Sequence, residues 1–81
     1  MNEQISIQYS KRAIKFLNKQ DVPTRKCIIK AINLLPSGDV KKLQGSDSFR
    51  LRVGDYRVIF DKNGNVINIE KIENRGQVYK K

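Results

Sequence analysis

The stretch Phe49-Arg50-Leu51-Arg52-Val53-Gly54-Asp55-Tyr56-Arg57-Val58-Ile59-Phe60 reads as two strands joined by a tight turn. Phe49, Leu51 and Val53 alternate with Arg50 and Arg52, and Tyr56, Val58 and Phe60 alternate with Arg57 and Ile59. A period of two puts one side-chain set on each face of a sheet. Gly54-Asp55 is a two-residue turn signal. The register then sets Val53 against Tyr56, Arg52 against Arg57, Leu51 against Val58 and Arg50 against Ile59. Further on, Asn63-Gly64 is a second hairpin signal, followed by a strand from Val66 to Ile72. A turn centred on Asn63-Gly64 sets Phe60 against Ile67, Val58 against Ile69 and Arg57 against Glu70. The stretch from Asn74 to Lys81 reads as an edge strand or a tail.

Upstream, Ile5, Ile7 and Tyr9 alternate with Ser6 and Gln8, which is again strand periodicity. Ser10 suits a helix N-cap, and Ala13, Phe16 and Leu17 follow at helical spacing. Asp21-Val22-Pro23 marks a stop and a restart, with Pro23 in the first turn of a second helix. That helix is expected to run to about Leu35, with Ile28, Ile29, Ile32 and Leu35 on its inner face. Cys27 falls among these residues and reads as a buried structural thiol. Pro36-Ser37-Gly38 ends the helix, and Ser37 to Asp47 reads as a loop carrying Lys41 and Lys42. The fold class is α+β: an N-terminal strand and a two-helix hairpin packed on a small antiparallel sheet, as a single domain over residues 1–81.

Composition narrows the chemistry. The chain has 81 residues, 38% of them hydrophobic and 31% charged. A domain of this size buries only about 60% of its unfolded surface. No apolar run exceeds three residues, so no membrane span or signal-peptide core is expected. The single cysteine excludes an intrachain disulfide, and the absence of histidine excludes imidazole catalysis and a histidine-ligated metal. Neither a metal nor any other cofactor is expected. Lys and Arg number 17 against 8 Asp and Glu, for a net charge of +9. A bias of this kind speaks about partners: nucleic acid, an anionic membrane surface or an acidic protein. Nucleic acid fits best, because the helices show no bulky apolar face beyond what a core needs.

The sheet pattern concentrates part of that charge. Arg50, Arg52 and Arg57 share the face opposite the helices, with Arg52 directly across from Arg57. Like charges across a strand pair are destabilising. A bound phosphate would relieve the conflict, because guanidinium forks match phosphate oxygens. Neutralisation of Arg57 by Glu70, with water screening the rest, would relieve it as well.

These residues resemble the RelE/ParE superfamily of type II toxin–antitoxin toxins. The resemblance starts with the helix pair and Lys42-Leu43-Gln44-Gly45. It is strongest from Phe49 to Phe60 and closes with Asn74-Arg75-Gly76-Gln77-Val78-Tyr79-Lys80. It implies a helical hairpin on a small curved antiparallel sheet. It also implies the toxin of a toxin–antitoxin pair, in the cytoplasm, with a separate acidic antitoxin that wraps it. The RelE-like branch is a metal-independent, ribosome-dependent endoribonuclease that cuts mRNA in the A site. By resemblance its site falls on Arg50, Arg52, Arg57, Arg75 and Tyr79. Lys11, Arg12, Lys15, Lys19, Arg25, Lys26, Lys30, Lys41 and Lys42 would contact RNA phosphates of the ribosome and its message. Two departures stand out. Arginines occupy Arg50 and Arg52 where some members carry lysines, and Asn74 stands where many carry histidine. The alternatives are a ParE-like DNA gyrase inhibitor and a basic RNA-binding domain without activity.

The chemistry implied needs no metal. The 2′-hydroxyl attacks the adjacent phosphorus, the 5′-oxygen leaves, and a 2′,3′-cyclic phosphate forms. The protein must hold the reacting oxygens in line and stabilise charge on the phosphoryl oxygens. Arginine stays protonated, so Arg50, Arg52 and Arg57 take electrostatic roles, and Arg75 would compensate the leaving oxygen. Tyr79 is either the proton acceptor or a platform on which a base stacks. Tyr56 falls on the inner face and reads as packing.

Overall fold

A computed structural model describes residues 5–74. Its elements run β1 (Ser6–Tyr9), α1 (Lys11–Asn18), α2 (Val22–Asn33), β2 (Asp39–Lys42), β3 (Ser48–Val53), β4 (Tyr56–Asn63) and β5 (Val66–Asn74). The strands form one sheet in the order β1-β5-β4-β3-β2. From β2 to β5 all pairings are antiparallel. β1 lies parallel to β5 at one edge, so the sheet is mixed and not antiparallel throughout. The fold is α+β, with both helices on one face of the sheet.

Ser10 ends β1 and starts α1. Its hydroxyl accepts from the Ala13 amide at 3.0 Å and donates to the Glu70 carbonyl at 2.7 Å. One side chain thus caps a helix and ties it to β5. Asp21 occupies the N-cap position of α2 without a side-chain cap bond, and Pro23 sits in the first turn. Ala13 and Leu17 from α1, Ile28 and Ile32 from α2, and Leu35 just past the end of α2 pack on Leu51, Val58, Phe60, Ile67, Ile69 and Ile72. Phe49 stacks on Phe60 with ring centroids 5.5 Å apart, and Phe16 meets Tyr56 edge to face at 6.0 Å. Tyr56 is therefore packing, as expected. Cys27 is not: it is exposed, because it lies one position away from the inward Ile28 and so about 100° round the helix.

The first hairpin keeps its expected register, with Val53 opposite Tyr56 and Arg52 opposite Arg57. The second differs. Asn63 pairs with Val66, so the two turn residues are Gly64 and Asn65, not Asn63 and Gly64. Gly64 has a φ of +64°, and both hairpins thus open on a glycine with positive φ. Phe60 then faces Ile69, a shift of two residues that leaves the faces unchanged. A bulge follows between Ile59 and Phe60, after which Val58 faces Ile72 and Arg57 faces Glu73 instead of Glu70. The segment Asp39–Lys42, read from sequence as loop, is an edge strand paired to β3.

Replacing Ser10 by Ala removes an N-cap and the tie to β5. A loss of about 1–2 kcal/mol in unfolding free energy is expected, read by urea denaturation.

Candidate functional site

The sheet face away from the helices carries three rows of side chains. In the first row Asp39, Arg52, Arg57 and Glu73 lie side by side on β2, β3, β4 and β5. The two arginines are therefore opposite each other, as the strand pattern predicts, but each has a carboxylate on its other side. Glu73 Oε1 accepts from Arg57 Nε at 3.0 Å and from Nη2 at 2.6 Å. Glu73 Oε2 meets Lys71 Nζ at 3.0 Å. Arg52 Nη1 lies 3.9 Å from Asp39 Oδ2, a looser pair. The side chains of Arg57 and Glu73 are 40% and 33% exposed, so their pair contributes about 1 kcal/mol at most and is open to competition.

The second row runs Lys41, Arg50, Ile59 and Lys71. Among the described residues no carboxylate lies within ion-pair distance of Lys41 or Arg50. Ile59 is 6% exposed despite its place on this charged face. It floors a shallow cavity of about 310 Å³, walled by Leu43 and Ser46 from the β2–β3 loop and closed by Arg57, Lys71 and Glu73. In the third row Ser48, Asp61 and Asn68 are neighbours, and Asn68 Nδ2 donates to Asp61 Oδ1 at 3.0 Å. Glu70 sits at the bulge, on the rim of the same cavity. Burial first, then the neighbouring Asp61 carboxyl, push the Glu70 pKa up, while Ser48 and Arg12 act the other way.

Of the sequence-predicted site residues, Arg50, Arg52 and Arg57 converge on this face, with Lys41 beside them. Arg75 and Tyr79 lie outside the described residues. Lys11, Arg12, Lys15 and Lys19 rim a separate groove of about 800 Å³ between α1 and β5, floored by Ile14, Phe16 and Ile72, with Lys71 at its edge. Arg25 is taken up locally: its Nε donates to the Leu17 carbonyl and its Nη2 to the Gln20 carbonyl, which closes the end of α1. Lys26 and Lys30 are exposed on α2, and Lys42 is exposed at the sheet edge. Sequence reasoning missed Lys71, Glu73 and Asp39. The spacing of Ile67, Ile69 and Ile72, two and then three, was the available signal of the bulge that aims Lys71 and Glu73 at Arg57.

No protein-family model matches the sequence. No curated protein matches it either. Solved structures do. The RelE-type chain of the archaeal RelE–RelB complex from Pyrococcus horikoshii OT3 superposes with a TM-score of 0.77 at 29% identity, over 93% of this chain and 99% of that one. In fold, and at 29% sequence identity, the chain is similar to the RelE-type toxins. The RelB–RelE antitoxin–toxin complex from Methanococcus jannaschii gives a TM-score of 0.71 at 28% identity, over 89% and 94% of the two chains. The intact RelBE complex of E. coli matches at 0.68 and 22% identity, over 86% and 95%, which is a likeness of fold. In the RelE-like frame, the charged face is the open side of the sheet, and no helix among the described residues is long and apolar enough to cross a membrane.

Arg57, then Lys71, hold the Glu73 carboxyl below its ordinary value of 4.5. A carboxyl with a depressed folded pKa contributes stability that is full above the ordinary value and is lost as pH falls through the folded one. Glu73→Gln is expected to flatten the stability–pH profile below about pH 4.5, read by thermal unfolding across that range.

Proposed function

We propose that the chain is the toxin of a type II toxin–antitoxin pair and cuts mRNA in the ribosomal A site, in the cytoplasm. The observation that carries this reading is the acid–base–base–acid row of Asp39, Arg52, Arg57 and Glu73 on the open face. Two adjacent guanidinium groups are held there by an exposed carboxylate, Asp39, and a half-buried one, Glu73, that a phosphodiester can replace. Arg50 and Lys41, which have no ion-pair partner among the described residues, lie one row away and add to the attraction. The RelE-type neighbours support the same reading, and several of them were solved with antitoxins: RelB, DinJ or YefM. An acidic antitoxin for this chain would balance its net charge of +9.

In the proposed reaction the 2′-oxygen forms a bond to phosphorus and loses its proton to a base. The bond to the 5′-oxygen breaks, and that oxygen takes up a proton. The products are a 2′,3′-cyclic phosphate and a 5′-hydroxyl end. Arg57 and Arg52 hold the non-bridging oxygens, where charge grows in the transition state. Arg50 positions the neighbouring phosphate, and Arg75 compensates the leaving oxygen. Tyr79 accepts the 2′ proton or stacks on a base. The lysines of α1, with Lys26, Lys30 and Lys42, give salt-dependent attraction to ribosomal RNA. Arg25 contributes less, because its guanidinium is already engaged.

The test is brief induction in a bacterial host with mapping of transcript 5′ ends. Cuts inside translated codons that disappear when initiation is blocked are expected. Growth arrest with intact transcripts and a DNA-damage response would instead indicate gyrase poisoning. Arg57→Ala is expected to lower cleavage about 100-fold, as loss of one oxyanion donor does elsewhere. Tyr79→Phe separates the two tyrosine roles: cleavage collapses if the hydroxyl accepts the proton and persists if the ring stacks.

A further inference from the structure

Asp39 and Glu73 flank the same two arginines but do not hold them alike. Asp39 is exposed, and its carboxylate stands 3.9 Å from Arg52. Glu73 accepts from Arg57 Nε at 3.0 Å and from Nη2 at 2.6 Å through one oxygen. Its other oxygen meets Lys71 Nζ at 3.0 Å. One carboxylate thus engages both of the cations that wall the cavity over Ile59. One negative charge shared by two oxygens, against a guanidinium and an ammonium group, is also what a phosphodiester offers. We propose that Glu73 is a built-in competitor for the substrate phosphate, an autoinhibitory contact that RNA must displace from Arg57 and Lys71. The inference rests on the RNA-cleaving reading above for the identity of the anion, and adds how that site is regulated.

The bulge in β5 is what brings Glu73 opposite Arg57. The charged groups around it are Arg57 on β4 and Lys71 on its own strand, with Glu70 on the rim of the same cavity. Arg57 and then Lys71 lower its pKa, so the competitor is ionised at neutral pH. Its side chain is 33% exposed, so a released carboxylate goes to water. The next row helps to displace it. Arg50 and Lys41 have no ion-pair partner among the described residues, so no carboxylate competes there. Arg50 and Arg52 lie two residues apart on β3, about 7 Å along the strand. An RNA that seats one phosphate on Arg50 and Lys41 presents the next to Arg57 at high effective concentration. A lone phosphate lacks that help. The contact therefore favours a chain of phosphates over a single anion.

The test measures binding of a 2′-O-methyl RNA hexamer, which has no 2′ nucleophile and stays intact. Glu73→Gln is expected to bind it about fivefold more tightly than the unmodified protein at low salt. Asp21→Asn removes the same charge at the start of α2, where Asp21 makes no side-chain cap bond, and should change affinity much less. Most of the gain should vanish when Arg57 is also replaced by Ala. Unchanged or weaker binding by Glu73→Gln, or an equal gain from Asp21→Asn, would overturn the competitor. A second measurement needs no variant protein. Carbon-13 NMR of the Glu73 carboxyl is expected to show its pKa rising when the hexamer binds, and rising less with inorganic phosphate. A carboxyl that titrates unchanged in the saturated complex, or moves equally with inorganic phosphate, overturns the proposal. Transcript mapping separates it from the nuclease reading. Codon cuts by a protein whose hexamer affinity ignores Glu73 overturn the competitor and keep the nuclease. Uncut transcripts together with the gain from Glu73→Gln keep the competitor and overturn the nuclease.

Discussion

One extra residue in β5, opposite the step from Phe60 to Ile59, sets both faces of the sheet. On the inner face it lets Ile69 and Ile72 pack into the core although they are three apart in sequence. On the outer face it turns Lys71 and Glu73 toward Arg57. Without the bulge, strand alternation would send Ile72 outward and Lys71 into the core. A bulge also strengthens local twist and re-aims side chains, which is why such irregularities gather at sites. Ser10 anchors the N-terminus of α1 to the carbonyl of Glu70, the bulged residue itself, so the helix layer and the charged face share one fixed point.

That arrangement answers the conflict between Arg52 and Arg57. Each is satisfied from the side, by Asp39 and Glu73, in pairs that stay open to solvent. The chain thereby stores two guanidinium groups close together at small cost and in a form that an incoming anion can take over. A deeper pair would have been harder to displace, since breaking a buried ion pair strands a charge.

Much of this was legible in the residues. The alternation from Phe49 to Phe60 and the Gly54-Asp55 turn predict the first hairpin, the inner face and the arginine face, and the structure agrees. Ser10 and Pro23 mark the helix starts for local reasons of capping and backbone restriction. The second register was less legible, because Asn63-Gly64 and Gly64-Asn65 both suit a tight turn and only the flanking strands decide between them. β2 has one apolar residue, Val40, and so carries no period to read. Cys27 stands beside inward residues in sequence but not in space. Glu73 was overlooked as the partner of Arg57 because a bulge changes partners without changing composition.

The sheet also ends in a particular way. Among the described residues its two edges are the four-residue strands β1 and β2, and β2 carries Asp39, Lys41 and Lys42. Long, flat, apolar edges invite pairing between chains, whereas short and charged ones discourage it. The same modest strand that escapes detection in the sequence therefore offers a neighbouring chain little to pair with.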